Sequence, residues 1–464
     1  MSDYRVVNPA TGAVESEYLT ASDTEIADIL ARSNAAFAAL GRTTLGERMA
    51  VLYRVADRYL ERVDALAALI TREMGKPTAE AVAEIEYVAG IYRYYADQAP
   101  TLLADQRLDS DSDGIAFVRK APIGSLLGIM PWNYPYYQVA RFAAPNLLVG
   151  NTIILKHAPQ CPESALAIER VFRESGLTTD AYLNVFASND QVAQIIADPR
   201  VHGVSVTGSE RAGAAVAAVA GANLKKVVLE LGGSDAFIVL DTADLPGVVD
   251  IAVAARMSNA GQACNAAKRF IVADGLYDEF VERFTAAMAA QTTGDPTDAA
   301  TSYGPLSSEA AAVGLLAQVE DAVGKGATLQ TGGRRLDRPG AFVEATVLTD
   351  VTPGMRAYHE ELFGPVAVVY RVHDADEAIA LANDTTYGLG GVVYHSDPAV
   401  AFEVADRLDT GMVWVNAPEG GGPELPFGGT KRSGVGRELG PYGIDEFVNR
   451  KLIHVPTTAG AASS

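Results

Sequence analysis

From Gly124 onward the chain alternates short apolar segments with helix-forming ones, and this alternation limits the fold more than any other feature. The apolar runs cover 126–130, 151–156, 201–207, 226–231 and 236–240, and helical stretches begin between them near Pro135, Ser164, Asp190 and Ser209. Strands and helices that alternate at this spacing predict a parallel sheet with crossover helices, an α/β fold. Two amphipathic helices precede the series, each opened by a capping box, Ser22 with Glu25 and Thr44 with Glu47. A second strand-and-helix series follows from Arg269 to about Val415. The stretch 418–436 is too rich in Gly and Pro for a regular element, and 445–455 alternates as a strand. The small, polar tail 457–464 is expected to be disordered. No internal repeat is visible.

With 464 residues, the chain has room for two to three domains at about 100–200 residues each. Its net charge of −21 argues against nucleic acid or an anionic membrane as partner, since both select basic patches. Two cysteines in so long a chain do not make a disulfide scaffold, which fits a reducing compartment. The first twenty residues lack an apolar signal core, and no uncharged apolar stretch is long enough to span a bilayer, so a soluble cytoplasmic protein is expected.

Four local patterns carry chemistry. Cys264 stands among Gly261, Gln262 and Asn265, a loop setting. A lone cysteine is more often a buried apolar residue, but a loop thiol has the access a nucleophile needs. Glu230 ends an apolar strand just before Gly232 and Gly233. An acid there is either salt-bridged or functional, because open α/β sheets carry their chemistry at the carboxyl ends of strands. Asn133 lies between a strand and Pro135, where it could cap the next helix or aim its amide at an oxyanion; taken alone, the cap is favoured. The turn at Gly208 and Ser209, with Gly213 further on, could hold a phosphate at a helix N-terminus, though it lacks a full dinucleotide fingerprint.

Taken in order, these patterns resemble the aldehyde dehydrogenase superfamily over nearly the whole chain. The matching runs are NPATG (8–12), MGKP (74–77), PWN (131–133), TGS (207–209), ELGG (230–233), GQAC (261–264), EELFGP (360–365) and PFGG (426–429). LKHA (155–158) and GGSD (232–235) are most similar to the bacterial succinate-semialdehyde dehydrogenases within it. The resemblance implies a Rossmann-like cofactor domain (1–108 and 123–232), an α/β catalytic domain (233–435) and a small β oligomerisation extension (109–122 and 436–456). A homodimer or homotetramer follows from the strand edges such an extension exposes.

The resemblance also assigns roles. Cys264 attacks the aldehyde, Asn133 and the Cys264 backbone N–H stabilise the oxyanion, and Glu230 activates the water that hydrolyses the thioester. NADP or NAD is the implied cofactor, with Ile129, Trp132 and Lys156 near the adenosine and Gly208, Ser209 and Gly213 at the pyrophosphate. Leu231, Glu361 and Phe363 fall at the nicotinamide end. Pro159 stands where many NAD-preferring members carry an acid, and Lys156 with His157 could attract a 2′-phosphate, so NADP is expected to be accepted. No metal is implied. Arg141, Tyr134 and Phe427 are the implied substrate residues, Arg141 holding a carboxylate by a bidentate bond or else sitting in a surface salt bridge. Three further departures stand out. A second arginine found six residues before the cysteine in some relatives is Ser258 here, with Arg256 close by, and a serine before PFGG gives way to Gly421 and Gly422. Phe142 replaces a lysine that in some relatives relays protons with the acid matching Glu438. Succinate semialdehyde leads as substrate. The rivals are another aliphatic or aromatic aldehyde, a CoA-acylating reaction, and a non-catalytic binding protein on the same fold.

Overall fold

The computed structural model describes residues 4–111 and 114–456. The tail expected to be disordered lies outside them. Two largely parallel sheets organise the chain. The first has six strands in the spatial order Gly434–Val435, Lys226–Glu230, Val201–Thr207, Ser125–Met130, Thr152–His157 and Tyr182–Asn184, with only the first antiparallel. The second has seven strands, with Ala236–Val239 and Arg269–Ala273 paired near its centre. The expected apolar runs fall on strands within a residue or two. Both capping boxes form, each with reciprocal side-chain and backbone bonds.

In the first sheet the chain leaves Ser125–Met130 towards Thr152–His157 on one side, then returns to Val201–Thr207 on the other. That reversal opens a crevice beyond the carboxyl ends of Ser125–Met130 and Val201–Thr207, the usual ligand position in an open α/β sheet. Strand Val448–Val455 pairs antiparallel with Ile115–Pro122, and Gln106–Leu108 completes a separate three-stranded sheet.

Three features depart from the sequence expectation. An N-terminal hairpin pairs Tyr4–Val7 with Val14–Tyr18. Two helices, Val63–Met74 and Thr78–Leu102, follow the first two. The Gly/Pro stretch is not wholly irregular, since Gly434 and Val435 pair with Glu230 and Leu229 on the sheet edge. A Cβ at Gly434 would lie 1.9 Å from the Leu229 carbonyl, so the composition that argued against a strand is what lets this backbone reach the sheet.

Candidate active site

Cys264 follows the helix Leu245–Met257 and a tight turn in which Asn259 (φ 52°) and Ala260 (φ 55°) are left-handed. Such residues cost about 1–2 kcal/mol each, so the surroundings must hold them. Gly261 (φ 73°) permits the exit, because a Cβ there would lie 2.3 Å from the Gly364 carbonyl. Buried Lys268 binds the loop from below, donating to the carbonyls of Ala263 (3.1 Å), Cys264 (2.8 Å) and Ala266 (3.0 Å). Glu80 accepts from the Asn259 N–H at 2.7 Å. Cys264 faces a cavity of about 370 Å³ that it shares with Tyr134, Gln138, Arg141 and Phe427. Burial pushes its thiol up to about 12, with Arg141 and Lys268 opposing, so it rests protonated. Both cysteines are free thiols, and Cys161 is buried at the start of the helix Pro162–Glu174.

Asn133 is not a helix cap. The helix begins at Tyr137, and Glu84 caps it from the neighbouring helix, accepting from the N–H groups of Tyr136 (2.9 Å) and Tyr137 (3.1 Å). Lys76 makes a buried ion pair with Glu84 and stands 3.6 Å from the centre of the Tyr134 ring. Asn133 is thus released from capping and turns its amide to the cysteine loop, where Nδ2 donates to the Gln262 carbonyl at 3.0 Å. Glu80 and Glu84, one turn apart on Thr78–Leu102, hold the cysteine loop and the Asn133 helix respectively. The sequence reading missed this pair, although Lys76 lies within MGKP and the i,i+4 spacing places both acids on one helix face.

Glu230 ends its strand fully buried, and neither carboxylate oxygen has a hydrogen-bond partner among the described residues. A Cβ at Gly428 would lie 2.6 Å from Glu230 Oε1, so PFGG leaves room at that oxygen. Burial, then the charge of Glu438, raises Glu230 well above the usual carboxylate range, with Arg141 and Arg437 opposing. Glu438 is itself buried, accepts from Ser205 Oγ at 3.3 Å and pairs with Arg141 Nε at 2.8 Å. Phe142, on the position of the relay lysine, is buried against Phe447 and carries no charge.

Arg141 is not in a surface salt bridge. It is 1% exposed, stacks over Phe427 (4.3 Å) and Tyr137 (4.7 Å), and donates from Nη2 to Gln138 Oε1 at 3.1 Å. With Nε facing Glu438 and Nη1 reaching the Tyr137 hydroxyl at 3.5 Å, one N–H on each terminal nitrogen remains for a ligand. Arg256 offers no substitute for the second arginine. It is fully buried and donates to the carbonyls of Gly261 and Val366.

The crevice of the first sheet fits a dinucleotide. Ile129 pairs with Lys156 on one side and Val206 on the other, which aligns the three strand ends. Ser209 caps the 13-residue helix Glu210–Ala222, Gly208 carries no side chain at the turn, and Thr207 Oγ1 is buried without a hydrogen-bond partner among the described residues. Glu361 accepts from the Gly233 N–H at 3.1 Å, beside Leu231, and Phe363 meets Trp132 edge-on at 5.7 Å. Two of the expected cofactor residues are tied into the fold. His157 is fully buried between the Pro135 carbonyl and the Ala158 N–H, and burial lowers its pKa to about 4, so it is neutral and brings no charge to a phosphate. Gly213 lies inside the helix, where a Cβ would stand 2.6 Å from Leu231, and this makes it a packing glycine. Half-buried Pro159 places no acid beside Lys156.

The loop after Ser125–Met130 of the first sheet meets the cysteine loop of the second through the Asn133–Gln262 bond. The profile described as the aldehyde dehydrogenase family matches residues 1–453. The chain is 56% identical over 450 residues to a succinate-semialdehyde dehydrogenase of Deinococcus radiodurans named for NADP(+), covering 97% of this chain and 94% of that one. It is 45% identical to a Mycobacterium tuberculosis protein of the same name, over 97% and 99% of the two chains. Its fold matches the succinic semialdehyde dehydrogenase of Streptococcus pyogenes, solved with NADP+, at a TM-score of 0.96 and 43% identity, covering 98% and 100%. The chain belongs to the aldehyde dehydrogenase family.

Proposed function

We propose that this enzyme oxidises succinate semialdehyde to succinate with NADP, through a thioester on Cys264. The observation that carries the substrate is Arg141, which lines the same cavity as Cys264 and keeps two N–H groups beyond its protein contacts. An aldehyde bearing a distal carboxylate satisfies both ends. Its carbonyl carbon meets Cys264, and its oxygen receives the Asn133 amide and the Cys264 backbone N–H. When bound, NADP would supply the hydride acceptor; Lys156, the Gly208–Ser209 turn and Glu361 are the residues that would hold it. Glu230 then takes the proton of the water that clears the acyl group. The printed names of the relatives support the same reading.

The test compares two aldehydes. Arg141→Ala should lower kcat/KM for succinate semialdehyde by about ten- to over a hundredfold, the loss of a charge-assisted bond of roughly 1.5–3 kcal/mol. Butanal should lose markedly less, only what Arg141 contributes to holding the reacting end. Equal losses for both substrates would make Arg141 structural, and a wild type that prefers butanal would remove the semialdehyde assignment.

NADP use rests on Pro159 and Lys156. A carboxylate at position 159 would repel a 2′-phosphate, so Pro159→Glu should shift the NADP/NAD ratio of kcat/KM towards NAD by about tenfold, the order of one charge contact. An unchanged ratio would place the selection elsewhere.

The three-stranded sheet ends on Val448–Val455, whose outer edge has no partner strand among the described residues. We assign that edge to a second copy, giving a homodimer or homotetramer, and retain the three-part domain division. Among the described residues, no helix is long and apolar enough to cross a membrane.

A further inference from the structure

Gln138 lines the cavity, is 2% exposed and has no role in the reading above. Its side chain lies between two residues that do. Nε2 donates to Asn133 Oδ1 at 3.2 Å, and Oε1 accepts from Arg141 Nη2 at 3.1 Å. The donor and acceptor identities along this line are forced. A guanidinium only donates, so the Gln138 oxygen must face Arg141. The Gln138 amide nitrogen therefore faces Asn133 and can be met only by an oxygen. Asn133 then has one orientation, with Oδ1 towards Gln138 and Nδ2 towards the cysteine loop, where one N–H reaches the Gln262 carbonyl at 3.0 Å. A flipped Asn133 would set nitrogen against nitrogen at Gln138 and oxygen against oxygen at Gln262.

We propose that Gln138 is a positioning residue that reads the donor-only face of Arg141 and fixes the Asn133 amide with its N–H groups towards Cys264. This rests on the assignment of Asn133 to the oxyanion. The same arginine that receives the distal carboxylate thus also sets the polarity of the oxyanion site, through a side chain that touches neither the reacting carbon nor the cofactor. Losing the orientation costs part of what the amide supplies to the developing charge, and a complete oxyanion donor is worth about 10²–10³ in kcat.

Gln138→Met keeps the length and removes both bonds. It should lower kcat about tenfold or more for succinate semialdehyde and butanal alike, with NADP affinity unchanged by fluorescence titration, whereas Arg141→Ala should cost succinate semialdehyde more than butanal. Adding Gln138→Met to Asn133→Ala should cost less than about twofold further, because the residue acts through an amide that is no longer there. An undiminished loss in that background would overturn the positioning role and leave the oxyanion assignment standing. An Asn133→Ala enzyme with wild-type kcat would overturn the oxyanion assignment, and this role with it. Gln138→Glu gives an independent reading should the methionine variant fold poorly. Its carboxylate turns an acceptor to Asn133 Oδ1, and protonation restores a donor. The acylation burst, as a fraction of wild type at each pH, should therefore rise as pH falls; a flat or falling ratio would refute the mechanism.

Discussion

Cys264→Ala should form no NADPH above background from any aldehyde, a loss of more than about 10³-fold, while its NADP affinity stays within about twofold of wild type. The nucleophile sits on a loop of the second sheet, held by Lys268 and Glu80, whereas the dinucleotide crevice belongs to the first. Truncating one thiol removes no bond from the Gly208–Ser209 turn or from Lys156. Because burial holds the thiol near 12, acylation in the wild type waits on removal of its proton. Alkylation of free enzyme by iodoacetamide should accordingly be slow near neutral pH and accelerate as pH rises. NADPH formation and a cofactor titration on the same preparation decide the matter. Turnover within tenfold of wild type would end the assignment of Cys264, and a large loss of NADP affinity would mean that the loop and the crevice are not independent.

The sheet was legible because its strands are short, apolar and separated by helix-forming segments of ordinary length. The strand Val201–Thr207 and the cap at Ser209 need no tertiary information. Cys264, Glu230 and Asn133 were legible as positions within recognised motifs, and the first two stand where strand-end and loop arguments put them. What sequence could not supply is which side chain satisfies which backbone. Asn133 looks like a cap until Glu84, 49 residues earlier, takes that work from another helix. His157 looks like a phosphate partner until its ring proves buried against Pro135. Arg141 lines the cavity with Cys264, and its partner there is Glu438, almost 300 residues further along the chain. These are contacts between side chains distant in sequence, and no periodicity encodes them.

Glu230→Gln should separate the two halves of the reaction. With the Cys264 proton released to solvent, acylation and hydride transfer do not need Glu230, so a burst of up to one NADPH per active site should survive. Steady-state turnover should fall by about 10²–10⁴, the usual contribution of a general base. Acyl-enzyme should then accumulate on Cys264 and be visible by intact mass under turnover. The pH dependence follows from the raised pKa of Glu230. The protonated acid cannot accept a proton from water, so wild-type deacylation should be weak on the acid side and climb as pH rises through that pKa. Glu438 is the largest charge holding it up. Glu438→Gln removes that charge and leaves Arg141 with one carboxylate fewer to serve. Both changes favour ionised Glu230, so the rising limb should move to lower pH. A limb that stays in place or moves to higher pH would show that the charge of Glu438 does not hold Glu230 up. A Glu230→Gln enzyme without an adduct, its burst intact and its turnover normal, would assign the base to another residue.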